Sequence, residues 1–119
     1  MSDTRELTTH VLDTARGCPG AGMRVDLAHV EKDGGTRHVK SVTTDAGGRA
    51  RLLGESDIAV GTYVLSFHVA EYHRAAGVKI AQPPYLDVVP VRFSISDLDR
   101  HYHVPLLVAP WSYTTYRGS

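Results

Sequence analysis

The chain reads as an all-β sandwich, and three features of its sequence say so. Apolar residues recur at every second position in several short runs. Turn signals rich in Gly and Pro separate those runs at fairly regular spacing. Helix-friendly composition is confined to one stretch, too short for more than about two turns. At 119 residues the chain has the length of one domain and can bury a single hydrophobic core. No internal repeat, low-complexity tract or linker divides it, so one domain spanning residues 1–119 is expected.

Residues 7 to 14 (LTTHVLDT) mix Leu with β-branched Thr and Val, which favour a strand. Arg16 to Gly22 is rich in Gly and Pro and reads as a loop. Met23, Val25 and Leu27 alternate with Arg24 and Asp26, predicting a half-buried strand from Met23 to Glu31. Lys32-Asp33-Gly34-Gly35 is a tight-turn sequence, because Asp-Gly and Gly-Gly tolerate positive φ. Arg37 to Thr44 alternates again and closes a hairpin. Asp45 to Gly48 is a further loop, followed by a short apolar piece from Arg51 to Leu53. Gly61 to Glu71 carries the cleanest alternation, with Tyr63, Leu65, Phe67 and Val69 expected in the core. Tyr72 to Val78 is the helical stretch, and Gln82-Pro83-Pro84 is a loop. Val89, Val91, Phe93 and Ile95 alternate around Pro90. A proline cannot donate to a ladder, which places that strand at an edge or a bulge. Tyr102 to Val108 and Ser112 to Tyr116 complete seven or eight strands.

Charge excludes several functions. Lys+Arg and Asp+Glu are 13 each, so the formal net charge is zero. A nucleic-acid binder carries a basic face, and a polybasic membrane anchor carries a basic cluster. The single cysteine, Cys18, excludes an intrachain disulfide and a cysteine-based metal cluster. Beside Pro19 it reads as a passive thiol. No run approaches the ~20 apolar residues of a membrane helix. Met-Ser-Asp-Thr-Arg-Glu lacks the apolar region of a secretory signal, and Arg117-Gly118-Ser119 is not the peroxisomal address. A cytoplasmic location is the expectation.

Histidine is the unusual component, with 7 copies against 2 Phe and 1 Trp. It titrates near neutral pH, binds metals and moves protons. Residues two apart on a strand share a face. His101 and His103 therefore project together, with Pro105 and Leu107. Tyr102, Val104, Leu106 and Val108 form the more apolar, core-facing set. If Leu7, Thr9 and Val11 face the core, His10 points outward with Thr8 and Leu12. Leu12 and Leu107 would then lie on outer faces, and a sheet apolar on both sides expects a partner on each. The simplest partner is another copy of the chain. Histidines between copies would form a concave, partly desolvated site in which their pKa values can be tuned.

On the residues alone, three readings of His10, His101 and His103 stay open. They are a solvated or structural set, a three-histidine zinc site, or catalytic groups. The chain lacks the close-set ligand pairs of structural zinc sites. His29, His38, His68 and His73 read as surface residues, and Arg49 after two glycines as a solvated loop residue. Tyr113 to Ser119 runs from a strand directly to the chain end without a polar tail. Such an end can insert its last residues into a neighbouring site.

Three segments together resemble a known family. Leu7-Thr8-Thr9-His10-Val11-Leu12-Asp13 with Gly17-Cys18-Pro19 is similar to the N-terminal signature of the transthyretin-like 5-hydroxyisourate hydrolases. His101-Tyr102-His103-Val104-Pro105-Leu106-Leu107, then Pro110 and Tyr113-Thr114-Thr115-Tyr116-Arg117-Gly118-Ser119, resembles their C-terminal signature. The likeness spans essentially the whole chain, and the terminal Tyr-Arg-Gly-Ser is its most specific part, because transthyretins lack it. The resemblance implies a sandwich of two four-stranded sheets with one short helix. It also implies a homotetramer, a dimer of dimers, with active sites at the dimer–dimer interface.

By position, His10 and His103 match the two family histidines. Arg49 matches the arginine of a Thr-Asn-x-Asp-Gly-Arg loop. Tyr116, Arg117, Gly118 and Ser119 match the terminal tetrapeptide that lines the site. His101 matches the first histidine of the His-Tyr-His motif. Two places depart from the pattern. Asp45 and Gly47 replace the usual Asn and Asp of the loop, which puts its internal hydrogen bonding in question. Leu86 replaces a proline.

The implied reaction is hydrolysis of 5-hydroxyisourate, the first product of urate oxidation, to 2-oxo-4-hydroxy-4-carboxy-5-ureidoimidazoline. It needs an activated water, oxyanion stabilisation and a proton for the leaving nitrogen. His10 or His103 would be the general base, with the other polarising or positioning. Arg49 would clamp the planar ureide edge. Ser119 and its carboxylate would orient water or substrate, and neither metal nor organic cofactor is required. The alternative is a transthyretin-like carrier of an aromatic ligand in the same channel. A polar, histidine-lined channel closed by Tyr116 to Ser119 suits a hydrophilic purine product better than an apolar hormone.

Overall fold

A computed structural model describes residues 5–118. In chain order the elements are β1 (Leu7–Asp13), β2 (Cys18–Pro19), β3 (Arg24–Val30), β4 (Thr36–Thr43), β5 (Arg49–Leu53), β6 (Gly61–His68), α1 (Val69–Ala75), β7 (Val88–Ile95), β8 (Tyr102–Ala109) and β9 (Ser112–Thr115). One sheet runs β4-β3-β6-β7 and is antiparallel throughout. In the other, β1 pairs parallel with β8, and β8 pairs antiparallel with β9. The second edge of β1 is shared. β5 covers Leu7 to His10, and β2 covers Leu12 and Asp13. Each sheet is thus about four strands wide, as the resemblance implies, with one short helix.

Period-two alternation builds the core between the sheets. Val25, Leu27, Leu65, Phe67, Val89 and Ile95 of one sheet meet Leu7, Val11, Val104, Leu106 and Val108 of the other, all buried. Burying such a side chain contributes roughly 1.5–3 kcal/mol relative to leaving it exposed. The same alternation leaves Thr8, His10 and Leu12 on the outer face of β1 and His103 and Leu107 on that of β8. Thr9 sits among the core residues, and its hydroxyl donates to the Val104 carbonyl at 2.7 Å, so no buried polar group is left unpaired there. Pro90 lies on β7, which among the described residues pairs only with β6, the edge position its missing N–H requires.

Several boundaries differ from the sequence expectation. β6 ends at His68, and the helix covers Val69–Ala75, not Tyr72 to Val78. Val69 is buried either way, so alternation into Val69 could not separate the two states. The helix buries Val69, Ala70, Tyr72 and His73, one face at helical spacing. His73 is therefore a core residue with 1% exposure, not a surface histidine. His68 is half-buried and hydrogen-bonds Asp26 at 2.8 Å. His29 is also half-buried, packed edge-on against Tyr63. Of the four, only His38 is exposed. Cys18 and Pro19 form a short strand within the expected loop. β5 begins at Arg49 rather than Arg51. Among the described residues, no helix is long and apolar enough to cross a membrane.

Candidate active site

Strand register assembles the predicted side chains in two rows on the outer face of the β1–β8 sheet. In the first row, His10 of β1 pairs with Arg49 of β5 and with Pro105 of β8. In the second, Thr8 pairs with Arg51 of β5 and with His103 of β8. His103 in turn bridges Gly118 of the terminal segment. His10 and His103 sit one strand across and two residues along from each other. Strand spacing and rise put their Cα atoms on the order of 8 Å apart, a gap that accepts a small ring. Arg49 therefore projects from the start of a strand beside His10, where the sequence alone suggested a solvated loop.

Each histidine is held differently. His10 Nε2 lies 3.0 Å from the Gly47 carbonyl oxygen. A carbonyl can only accept, so Nε2 carries the proton, and the neutral ring keeps its lone pair on Nδ1. His103 Nδ1 lies 2.8 Å from Thr8 Oγ1, and His101 Nε2 lies 3.1 Å from the same oxygen. The two rings are 6.3 Å apart between centroids. Burial pushes the His103 pKa down, and the nearby His101, His10 and Arg49 push it further in the same direction. The imidazole of His103 is thus favoured over the imidazolium near neutral pH. Among the described residues, no group of three or more His, Cys, Asp or Glu side chains is placed to hold a metal ion.

The loop before Arg49 retains internal hydrogen bonds despite its altered sequence. Asp45 Oδ1 accepts the backbone N–H of Gly47 at 2.9 Å and of Arg49 at 3.0 Å. Those two bonds are the Asx-turn role that an Asn oxygen also serves. The Asp45 N–H further donates to the Arg49 carbonyl, and the Val11 N–H donates to the Gly48 carbonyl. Gly48 has φ +77°, and a Cβ there would collide with the Val11 carbonyl oxygen. Only glycine lets the loop lie this close to β1. Leu86, the other departure, packs against the core.

The terminal segment crosses directly over His103. The Gly118 N–H donates to the His103 carbonyl at 2.8 Å. The Arg117 guanidinium sits 4.4 Å above the Tyr102 ring, a cation–π contact that fastens the segment. Tyr116 and Arg117 join His103, Phe93 and Ser96 around a cleft of about 250 Å³ at the edge of the sandwich. His10 and Arg49 do not line that cleft. The polar face and the cleft meet at His103. Ser119 lies outside the described residues.

A family model described as HIUase/Transthyretin matches residues 7–118. The chain belongs to this family. Within it, the chain is 50% identical to 5-hydroxyisourate hydrolase 2 of Rhizobium meliloti over the full length of both. It is 52% identical to 5-hydroxyisourate hydrolase of Deinococcus radiodurans, again over both full lengths. Among solved family structures, (S)-allantoin synthase superposes with a TM-score of 0.89 at 41% identity. That match covers 99% of this chain and 45% of the other. Sea bream transthyretin in complex with thyroxine superposes at 0.85 with 29% identity, covering 95% and 94% of the two chains. In this chain the parallel β1–β8 pair brings the N-terminal and C-terminal segments together. Sequence reasoning passed over Thr8 and Glu6. Thr8 shares the outward face with His10, and that shared face was the available signal.

Proposed function

We propose that the chain hydrolyses 5-hydroxyisourate in urate degradation, using the outer face of the β1–β8 sheet. The observation that carries the mechanism is the row Thr8–His103–Gly118 beside the row Arg49–His10. The full-length likeness to the two bacterial hydrolases supports the choice of substrate.

His103 is the general base in this reading. Its depressed pKa keeps it neutral at the working pH, and its Nε2 takes a proton as water attacks the ring carbonyl. The imidazolium so formed returns that proton to the leaving nitrogen when the C–N bond breaks. Arg49 offers paired donors to the ureide edge and stabilises the developing oxyanion. His10, its Nε2–H tied to Gly47, presents Nδ1 to substrate or water. His101 stands behind His103. Tyr116, Arg117 and Gly118 close the site, and Ser119 orients water or substrate. None of these steps draws on a cofactor. Titratable groups fill this face, which favours hydrolysis over carriage of an apolar ligand.

The assembly belongs to the same proposal. Leu12, Trp111 and Tyr113 are exposed apolar side chains at the rim of this sheet, and a homotetramer would cover them with sites between dimers. The test of the activity is to generate 5-hydroxyisourate in situ from urate with urate oxidase and follow its decay by absorbance. Added protein accelerates the decay. A decay rate independent of added protein overturns the reading.

A further inference from the structure

Thr8 holds two histidines with one hydroxyl. Its Oγ1 is 2.8 Å from His103 Nδ1 and 3.1 Å from His101 Nε2. A hydroxyl has one proton to donate and lone pairs to accept. At most one of the two nitrogens can therefore accept from Thr8, and where one accepts, the other must donate its N–H to the Thr8 oxygen. The remaining nitrogen of His101, Nδ1, faces Glu6, with Oε2 at 3.8 Å. The other Glu6 oxygen is 3.4 Å from Arg51 Nη1. A carboxylate facing His101 Nδ1 favours the proton on that atom. In neutral His101 this leaves Nε2 as an acceptor. Thr8 then donates to His101, and its oxygen accepts from His103 Nδ1–H.

We propose that Thr8 is a positioning residue that fixes His103 in its Nδ1–H tautomer, leaving Nε2 as the atom that accepts a proton. The catalytic meaning of that tautomer rests on the hydrolase reading above. The arrangement serves both protonation states of the base. His103 donates from Nδ1 to Thr8 as imidazole and as imidazolium, so no hydroxyl turns when Nε2 gains its proton. A preorganised site avoids that reorganisation. The opposite arrangement would put the resting proton on Nε2 and force Thr8 to rotate. The groups around His103 are His101 on the segment entering its own strand, Thr8 and His10 from β1, Arg49 from β5, and residues 116–118 of the terminal segment. Of these, only Thr8 hydrogen-bonds the His103 ring among the described residues.

The test uses the full chain with Thr8→Val, which keeps the shape and deletes the hydroxyl, and Thr8→Ser, which restores it. Long-range ¹H–¹⁵N correlation of the ring nitrogens, assigned through His103→Gln, reads the tautomer without substrate. Wild type and Thr8→Ser show His103 protonated on Nδ1, whereas Thr8→Val shifts it toward Nε2–H. His101→Phe gives a second handle, since the freed hydroxyl can then donate to Nδ1 and shift His103 the same way. In the hydrolysis assay Thr8→Val lowers kcat about tenfold, a fraction of what a general base contributes. KM changes by less than about twofold, and Thr8→Ser recovers the rate. Retention of the Nδ1–H tautomer in both Thr8→Val and His101→Phe overturns the proposal, as does Nε2–H in wild type. A wild-type protein inactive on 5-hydroxyisourate overturns the function reading instead, and the tautomer result still decides whether Thr8 sets the proton.

Discussion

A glycine decides how closely the chain end approaches His103. A Cβ built on Gly118 would lie 2.5 Å from His103 Cδ2 and 3.2 Å from Cγ, closer than packed atoms tolerate. Gly118→Ala must therefore displace either the imidazole or the terminal segment. Misplacing a reacting group by about 1 Å can cost on the order of 10²-fold in rate. Gly118→Ala is expected to lower kcat by roughly 10–100-fold while the circular dichroism spectrum and thermal midpoint stay near wild type. A wild-type rate in this variant removes the terminal segment from the site. The outward placement of His10 and His103 was legible from alternation alone, because period two leaves no other choice once Leu7, Val11, Val104 and Leu106 are buried. The partners of those histidines were not legible. Which strand lies beside β1, and in what register, is a non-local property, and Thr8 acquires its role only through β8.

Elements show where local pattern runs out. The change from strand to helix at Val69 leaves the apolar pattern almost unbroken, and so the expected boundary fell three residues late. The same shift hid His73. It lies on the buried face of α1, and neither ring nitrogen has a hydrogen-bond partner among the described residues. Burial pushes its pKa below the usual histidine value. Asp13 nearby pulls it up and Arg16 pushes it down, and the net direction is downward. The unfolded chain therefore binds a proton near pH 6.5 that the folded chain refuses. Stability is unaffected well above pH 6.5. It falls as pH drops below 6.5 and stops falling once the folded pKa is passed. Each such group contributes at most about 1.4 kcal/mol per pH unit. Urea unfolding at pH 7 and pH 5 should show a smaller acid loss in His73→Phe than in wild type. His103 shifts in the same direction, so some acid loss remains in the variant. Equal losses in the two proteins would mean that His73 is not buried as a neutral ring. Asp13, tied to Arg16 and to the Tyr72 hydroxyl, is held low and acts in a separate, more acidic window.

Across the whole molecule, the sandwich puts His10, Arg49 and His103 on the outer face of one sheet and leaves apolar groups exposed around it. Trp111 is 71% exposed and Tyr113 42%. Sedimentation analysis should give the mass of four chains, and Trp111→Glu should dissociate the assembly and lower activity with it. A monomeric, fully active wild type would contradict that assembly. The whole β pattern was readable because each strand carries its own alternation and turn signals. The meeting of His10, Arg49, His101, His103 and residues 116–118 was not readable from local pattern and entered through resemblance to the family, and Thr8 joined it only in the structure. The decisive comparison sets wild type beside His103→Asn in the 5-hydroxyisourate decay assay at matched oligomeric state. Wild type should accelerate decay, with kcat in the variant lower by about 10²-fold or more. No acceleration by wild type, or equal rates in the two proteins, would contradict hydrolysis at this face.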